Sequence, residues 1–169
     1  MSDDTTARIA ALEARLTQLE DERAITRLLA SYGPLVDAGR ADEVGAVWSA
    51  DGVYDVEGYY MDGREAVHDM VTGKPHQGLI HAGSAHFNGP PHITVTGDTA
   101  RAVCHSLLVL HKGDDRFFVA RAGSHLLALA RGPQGWEVTR RTTRLLNGQE
   151  IARELLGAGV TGEGLPEGH

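Results

Sequence analysis

With 169 residues, 41% of them hydrophobic and 23% charged, the chain is long and apolar enough to build one domain around a real core. Its formal net charge of −7 comes from interspersed acids and bases without a basic stripe, which argues against a nucleic-acid surface. The one cysteine, Cys104, rules out an internal disulfide framework and reads as a small buried hydrophobe in a strand. The acidic start lacks the apolar segment of a signal peptide, and no apolar run approaches the ~20 residues that span a bilayer. A soluble, cytoplasmic protein with no membrane partner is expected.

The first forty residues predict helix. Ile9, Leu12, Leu16 and Leu19 recur at helical spacing in a leading helix over residues 1–22, and the pattern then shifts to Ile25, Leu28, Leu29, Tyr32 and Val36 in a longer core helix. Pro34 removes a backbone donor, so a kink is expected there, and Gly39 lies where such a helix stops. A short helix follows around Ala41–Ser49, then a turn at Ala50-Asp51-Gly52, a strand over Val53–Glu57 and its partner at Tyr59–Met61. Asp62 with Glu65 three residues on has capping-box spacing for a helix from about Gly63 to Val71. Thr72 to His81, with Gly73, Pro75 and Gly78, reads as a loop.

The second half predicts sheet. Ala85–Val95, Thr99–Lys112, Arg116–Arg131 and Gly135–Leu145 are rich in β-formers and separated by turn signals at Gly97-Asp98, Gly113-Asp114 and Gly132-Pro133. They read as an antiparallel meander, followed by a last helical turn or two over Gln149–Leu156. Residues 157–169 are glycine-rich, and a flexible tail or a segment lying on a neighbouring subunit is expected. Helices first and a meander last make an α+β cone, a single domain over residues 1–156 whose open end is a pocket.

Particular residues sharpen this layout. Ile25-Thr26-Arg27-Leu28-Leu29-Ala30-Ser31-Tyr32 runs into Val36-Asp37-Ala38-Gly39-Arg40. Trp48-Ser49-Ala50-Asp51-Gly52-Val53-Tyr54 and Asp62-Gly63-Arg64-Glu65-Ala66-Val67 follow. Then come His86, the stretch Ile93-Thr94-Val95-Thr96-Gly97-Asp98-Thr99-Ala100, and Gly135-Trp136-Glu137-Val138. In order and spacing these resemble the SnoaL-like branch of the nuclear transport factor 2-like superfamily over roughly Ile25 to Leu145. Within it the likeness is to scytalone dehydratase, bile-acid 7α-dehydratase and hexachlorocyclohexane dehydrochlorinase. Those enzymes eliminate water or HCl from a ring with an Asp–His pair and no cofactor or metal. The resemblance implies Asp37 and His86 as that pair, with Tyr32 in the place of a site tyrosine or lysine five residues before the aspartate. It also implies Tyr54 as a carbonyl-polarising tyrosine, His111 as a second histidine and Arg141 as an arginine that helps a leaving group.

The residues themselves carry part of this reading. Asp37 lies about 120° around the helix from the apolar face, at about 100° per residue, and Ala30 and Gly33 leave space beside it. A carboxylate in a last helical turn opposes the helix dipole, so a structural motive for it is weak. A histidine whose tautomer is fixed by that carboxylate is a general base suited to neutral pH. His86 is also readable as a polar strand residue, and Tyr32 as a packed ring. His105 and His111 share a strand face with Val103, Leu107 and Val109; they touch a ligand if that face lines the cone and lie on the surface or at an oligomer contact if it does not. Arg140 and Arg144 read as a solvated strand end. His76, His81, His86 and His92 lack the spacing of a zinc motif, so no metal is expected, and the resemblance implies no cofactor.

Three functions fit. The first is a cofactor-independent lyase or isomerase acting on a small apolar ring or polyketide-like molecule. The second is a non-catalytic small-molecule-binding or assembly domain, and the third a β-subunit-like partner of a ring-hydroxylating oxygenase. In each, the outer face of the sheet is expected to be covered by self-association into a trimer or dimer.

Overall fold

A computed structural model describes residues 2–165, with side chains from Asp4 onward. Helix α1 runs without interruption over Ser2–Asp37, so the leading and core helices expected separately are one, with Pro34 inside it. Its second half packs Ile25, Leu29, Tyr32 and Val36 into the core, while residues 4–20 stand exposed. Helix α2 is Ala41–Ala46, and strand β1, Trp48–Val56, begins earlier than the sequence suggests. The Ala50-Asp51-Gly52 segment lies inside that strand, where the pairing register shifts between Trp48 and Val53. Strand β2 is Tyr59–Asp62.

Helix α3 spans Arg64–Thr72 and is capped by Gly63 in a positive-φ conformation (φ 87°), with no side-chain cap bond. Asp62 instead ends β2, so the expected capping box does not form. Most of Thr72–His81, read as a loop from Gly73, Pro75 and Gly78, lies in helix α4, Lys74–Ala82. Pro75 sits in its first turn, where a missing N–H costs nothing, and buried His76 holds it down.

Strands β3 (Ser84–Asn88), β4 (His92–Thr96), β5 (Thr99–His111), β6 (Phe117–Gly132) and β7 (Gly135–Leu145) complete the sheet. The order is β2-β1-β7-β6-β5-β3, with β4 pairing the other half of β5. The single segment expected over 85–95 is therefore two strands, broken at Gly89-Pro90-Pro91 because proline cannot donate to a ladder. All pairings are antiparallel except β1 with β7. Register shifts at Leu108/Val109 and Ala128/Leu129 mark bulges, which bend the sheet around the helices and leave it unclosed.

The core lies on the concave face, where Leu127, Leu129, Trp136 and Val138 meet α1, and Val67 and Val71 of α3 complete the packing. Helix α5, Glu150–Thr161, covers part of the convex face over Val103 and Leu126. It extends five residues beyond the helical turns expected, so residues 157–161 are packed helix rather than tail, with Ala158 and Gly159 buried. Glycine at 159 lets the helix lie directly on Val103, since a β-carbon there would stand 2.5 Å from Val103 Cβ. The convex face is thus partly covered within the chain. The last four residues of the expected tail lie outside the described residues.

Candidate active site

The mouth of the cone opens into a cavity of about 280 Å³. Its walls are largely apolar, with Val36 from α1, Val56 and Met61 from the first hairpin, Met70 and Leu79 from α3 and α4, and Leu108 from β5. Among them stand Tyr32, Tyr54, His76, His86, Arg121, His125 and Arg141.

Asp37 is the last residue of α1, and β3 crosses beside it. Its carboxylate takes the His86 backbone N–H at 2.6 Å, the His86 Nδ1–H at 2.7 Å and the Ser84 hydroxyl at 3.1 Å. Three donors offset the unfavourable placement of an anion at a helix C-terminus. The side chains are 22% exposed for Asp37 and 26% for His86, and only His86 lies on the cavity wall. With Nδ1–H committed to Asp37, the lone pair of His86 is on Nε2, the nitrogen free to take a proton. Close approach of α1 to β3 depends on Gly33, where a β-carbon would run into the His86 carbonyl oxygen.

A second cluster lies deeper. Arg141 is 4% exposed, pairs with no carboxylate among the described residues and lies against two phenol rings, its guanidinium carbon 4.4 Å from the Tyr32 ring centre and 4.6 Å from that of Tyr54. It donates through Nη2 to His125 Nδ1 at 2.7 Å, and its Nε is buried without a partner among the described residues. Burial, and then the charges of Arg141, Arg121 and His86, hold His125 well below the ordinary histidine range, so its ring stays neutral and can accept that bond. Burial and the adjacent Tyr54 push the Tyr32 phenol above the usual tyrosine range, which keeps it a proton donor. The cluster presents donors and positive charge where an oxygen gathering negative charge would be stabilised.

His76, from the segment read as a loop, completes the wall. Its Nδ1–H donates to the Val71 carbonyl at 3.3 Å, its Nε2 is buried without a partner among the described residues, and its ring centre is 5.6 Å from that of His86. Burial, then the proximity of His86, lowers its pKa.

The structure brings Tyr32, Tyr54, His86 and Arg141 to one cavity with Asp37 behind His86. It does not bring His105 and His111 there: they take the second of the two placements open to them, at the surface, so the ligand contact considered for them is not made at this cavity. His86 pairs with Leu108, so Cys104, Ser106 and Leu108 face inward, while His105 and His111 face out. Both histidines are exposed, and His111 rests on Phe117. Arg144 is an ion-pair partner rather than a solvated end, with Nη1 and Nη2 at 2.9 and 2.6 Å from the two oxygens of buried Asp55. Sequence reasoning missed His76, Arg121 and His125 as cavity residues. The alternation His125, Leu127, Leu129 on β6 could have found one of them, because those positions share the apolar face.

Helices seated in a bent, open sheet around an apolar cavity with a histidine on its wall define a protein of the nuclear transport factor 2-like fold. The chain belongs to the SnoaL-like family, whose domain model matches residues 17–142. A structure of similar shape is an NTF2-like protein with a cystatin-like fold from Novosphingobium aromaticivorans, 41% identical, covering 86% of this chain and 94% of its own, with a TM-score of 0.83. Two others from that organism share the fold at 21% identity. One is a candidate scytalone dehydratase (76% of this chain, 86% of its own, TM-score 0.63). The other is the beta subunit of a candidate aromatic-ring-hydroxylating dioxygenase (77% and 91%, TM-score 0.61). No curated protein matches the sequence. Among the described residues no helix is long and apolar enough to cross a membrane.

Proposed function

We propose that the protein is a cofactor-independent lyase or isomerase that moves a proton on a small, mainly apolar ring or polyketide-like substrate. The observation that carries the reading is the 2.7 Å bond between Asp37 and His86 Nδ1, which leaves Nε2 of a cavity-wall histidine as a base. His86 takes a proton from a carbon next to a carbonyl, and the electron pair moves to the carbonyl oxygen. Arg141 and the Tyr32 hydroxyl stabilise that oxygen as it becomes negative. In an isomerisation His86 returns the proton to another carbon. In a dehydration the enolate collapses and expels a neighbouring hydroxyl, which leaves as water with a proton from Tyr32 or the histidinium. The protein acts in the cytoplasm as a homo-oligomer, a dimer or a trimer.

The test is solvent deuterium uptake by cyclic ketones in D2O, followed by proton NMR. The native protein is expected to exchange the protons next to the carbonyl, with Asp37→Asn and His86→Gln each slower by about 10²–10⁴-fold. Undiminished exchange in Asp37→Asn would sink the paired-base mechanism. Tight ketone binding with no exchange by the native protein would favour the binding-module reading.

A further inference from the structure

The first half of α1 has no role in the cone. Residues 4–20 are exposed along their whole length, about 25 Å of helix at 1.5 Å per residue. Along it Ile9, Leu12, Leu16 and Leu19 remain 51%, 62%, 56% and 63% exposed. A helix this short is marginal in water without packing, and four large aliphatic side chains in one stripe are what packing would use. The family match begins only at residue 17, so most of the stripe precedes the family domain.

The stripe has a definite direction. At about 100° per residue its mean bearing is about 150° around the helix from Ile25, Leu29, Tyr32 and Val36, which seat α1 in the core. It therefore faces away from its own domain. A second helix can lie along it with each domain on the outer side, so the two bodies do not collide. The seam also has an end: Asp21 turns into the body, where its carboxylate takes Arg131 Nη2 and Trp136 Nε1, each at 2.9 Å, and Arg23 occupies the next seam position.

We infer that residues 4–20 pair with the same residues of a second copy of this chain as a parallel, in-register, two-stranded coiled coil. The spacing of three, four and three places Ile9 and Leu16 at heptad positions a, and Leu12 and Leu19 at d; isoleucine at a with leucine at d favours two parallel strands. The flanking charges choose the orientation. Arg8 and Arg15 fall at g, and Glu13 and Glu20 at e. In a parallel pair each g residue faces the e residue five places on in the other copy, so Arg8 meets Glu13 and Arg15 meets Glu20, on both sides of the seam. In an antiparallel pair g faces g and e faces e, which sets arginine against arginine and glutamate against glutamate. Exposed pairs of this kind add little affinity but discriminate strongly against the repulsive arrangement.

Cysteine cross-linking in the full chain tests the arrangement, with the wild type as control because its Cys104 is buried. In Leu12→Cys the two thiols face each other across a parallel seam, and copper–phenanthroline in air is expected to give a disulfide dimer on a non-reducing gel. Ala14→Cys, at the outer position f, is expected to link at least five-fold less. Adding Arg8→Glu and Arg15→Glu to Leu12→Cys should suppress the link, and further adding Glu13→Arg and Glu20→Arg should restore it. Equal yields at positions 12 and 14, a link indifferent to the charge reversals, or a wild-type chain that sediments as a monomer at 100 µM overturns the inference. Loss of turnover in the lyase assay has no bearing on it, since none of these residues lines the cavity.

Discussion

Gly33 shows how one missing side chain holds the site together. Glycine inside a helix costs about 1 kcal/mol relative to alanine, so an alanine would ordinarily strengthen α1. Here the added methyl meets the His86 carbonyl oxygen, part of the strand that α1 must touch for Asp37 to take the His86 backbone N–H and Nδ1–H. Gly33→Ala is therefore expected to destabilise the fold by about 1–3 kcal/mol, the range for forced overpacking. It should also disturb the ring bond. Urea denaturation reads the first effect, and nitrogen-15 NMR of the histidine ring reads the second as loss of the fixed Nδ1–H tautomer. A variant as stable as the parent with an unchanged His86 signal would show that α1 and β3 are not in such close contact. The sequence made Gly33 visible as a small residue beside Asp37, but not what it touches. That contact joins residues 53 positions apart in the chain.

Among the elements, α5 makes the sharpest case. The glycines that made residues 157–161 read as tail are there for proximity: Gly159 lies on Val103, and its carbonyl accepts Arg101 Nε at 2.9 Å. Gly159→Ala should lift the last turns of α5 from the sheet, at about 1–3 kcal/mol of stability. Hydrogen exchange should then quicken in α5 while the β6 and β7 core amides keep their protection. If α5 amides were no less protected in the variant, the helix would not depend on that close approach. The same lesson covers α4. Gly73, Pro75 and Gly78 are loop signals locally, yet a proline in a first helical turn and a buried histidine make a helix once α3 and the sheet are there to bury one face. Where the pattern is long and periodic, as in β5 to β7, sequence and structure agree, and in α1 the helical reading holds although the two helices expected are one. The short elements departed because their few residues leave local propensity weaker than packing.

At the scale of the whole molecule, the cavity stores a pH dependence. His76 and His125 are buried, and both are pushed below their ordinary value of 6.5, first by burial and then by neighbouring positive charge. A histidine with a lowered folded-state pKa takes up protons more readily in the unfolded chain. The stability it contributes is complete above about pH 6.5 and is lost progressively as the pH falls below it. Urea midpoints measured from pH 8 to pH 5 should decline below pH 6.5, and His125→Gln should flatten the decline. A midpoint independent of pH across that range would contradict the buried, neutral state of both rings. The same burial matters for catalysis under the proposed mechanism. A cavity that keeps two histidines neutral concentrates proton transfer on the third, the one backed by a carboxylate.

What the sequence determined by itself is what depends on periodicity and local chemistry: an α+β chain, a helix ending in Asp37, a run of long strands and a histidine at the head of the sheet. The apolar stripe and heptad charges of residues 4–20 were also written there, since a helix of regular pitch fixes which side chains share a face. Only the tertiary structure decided which strand face is concave. It thereby sent His105 and His111 outward and His125 and Arg141 inward, because strand alternation supplies two faces and only the sheet's curvature says which encloses the cavity. It also decided that Asp37 and His86, 49 residues apart, meet at 2.7 Å. That contact follows from how closely α1 and β3 pack, which no local pattern specifies.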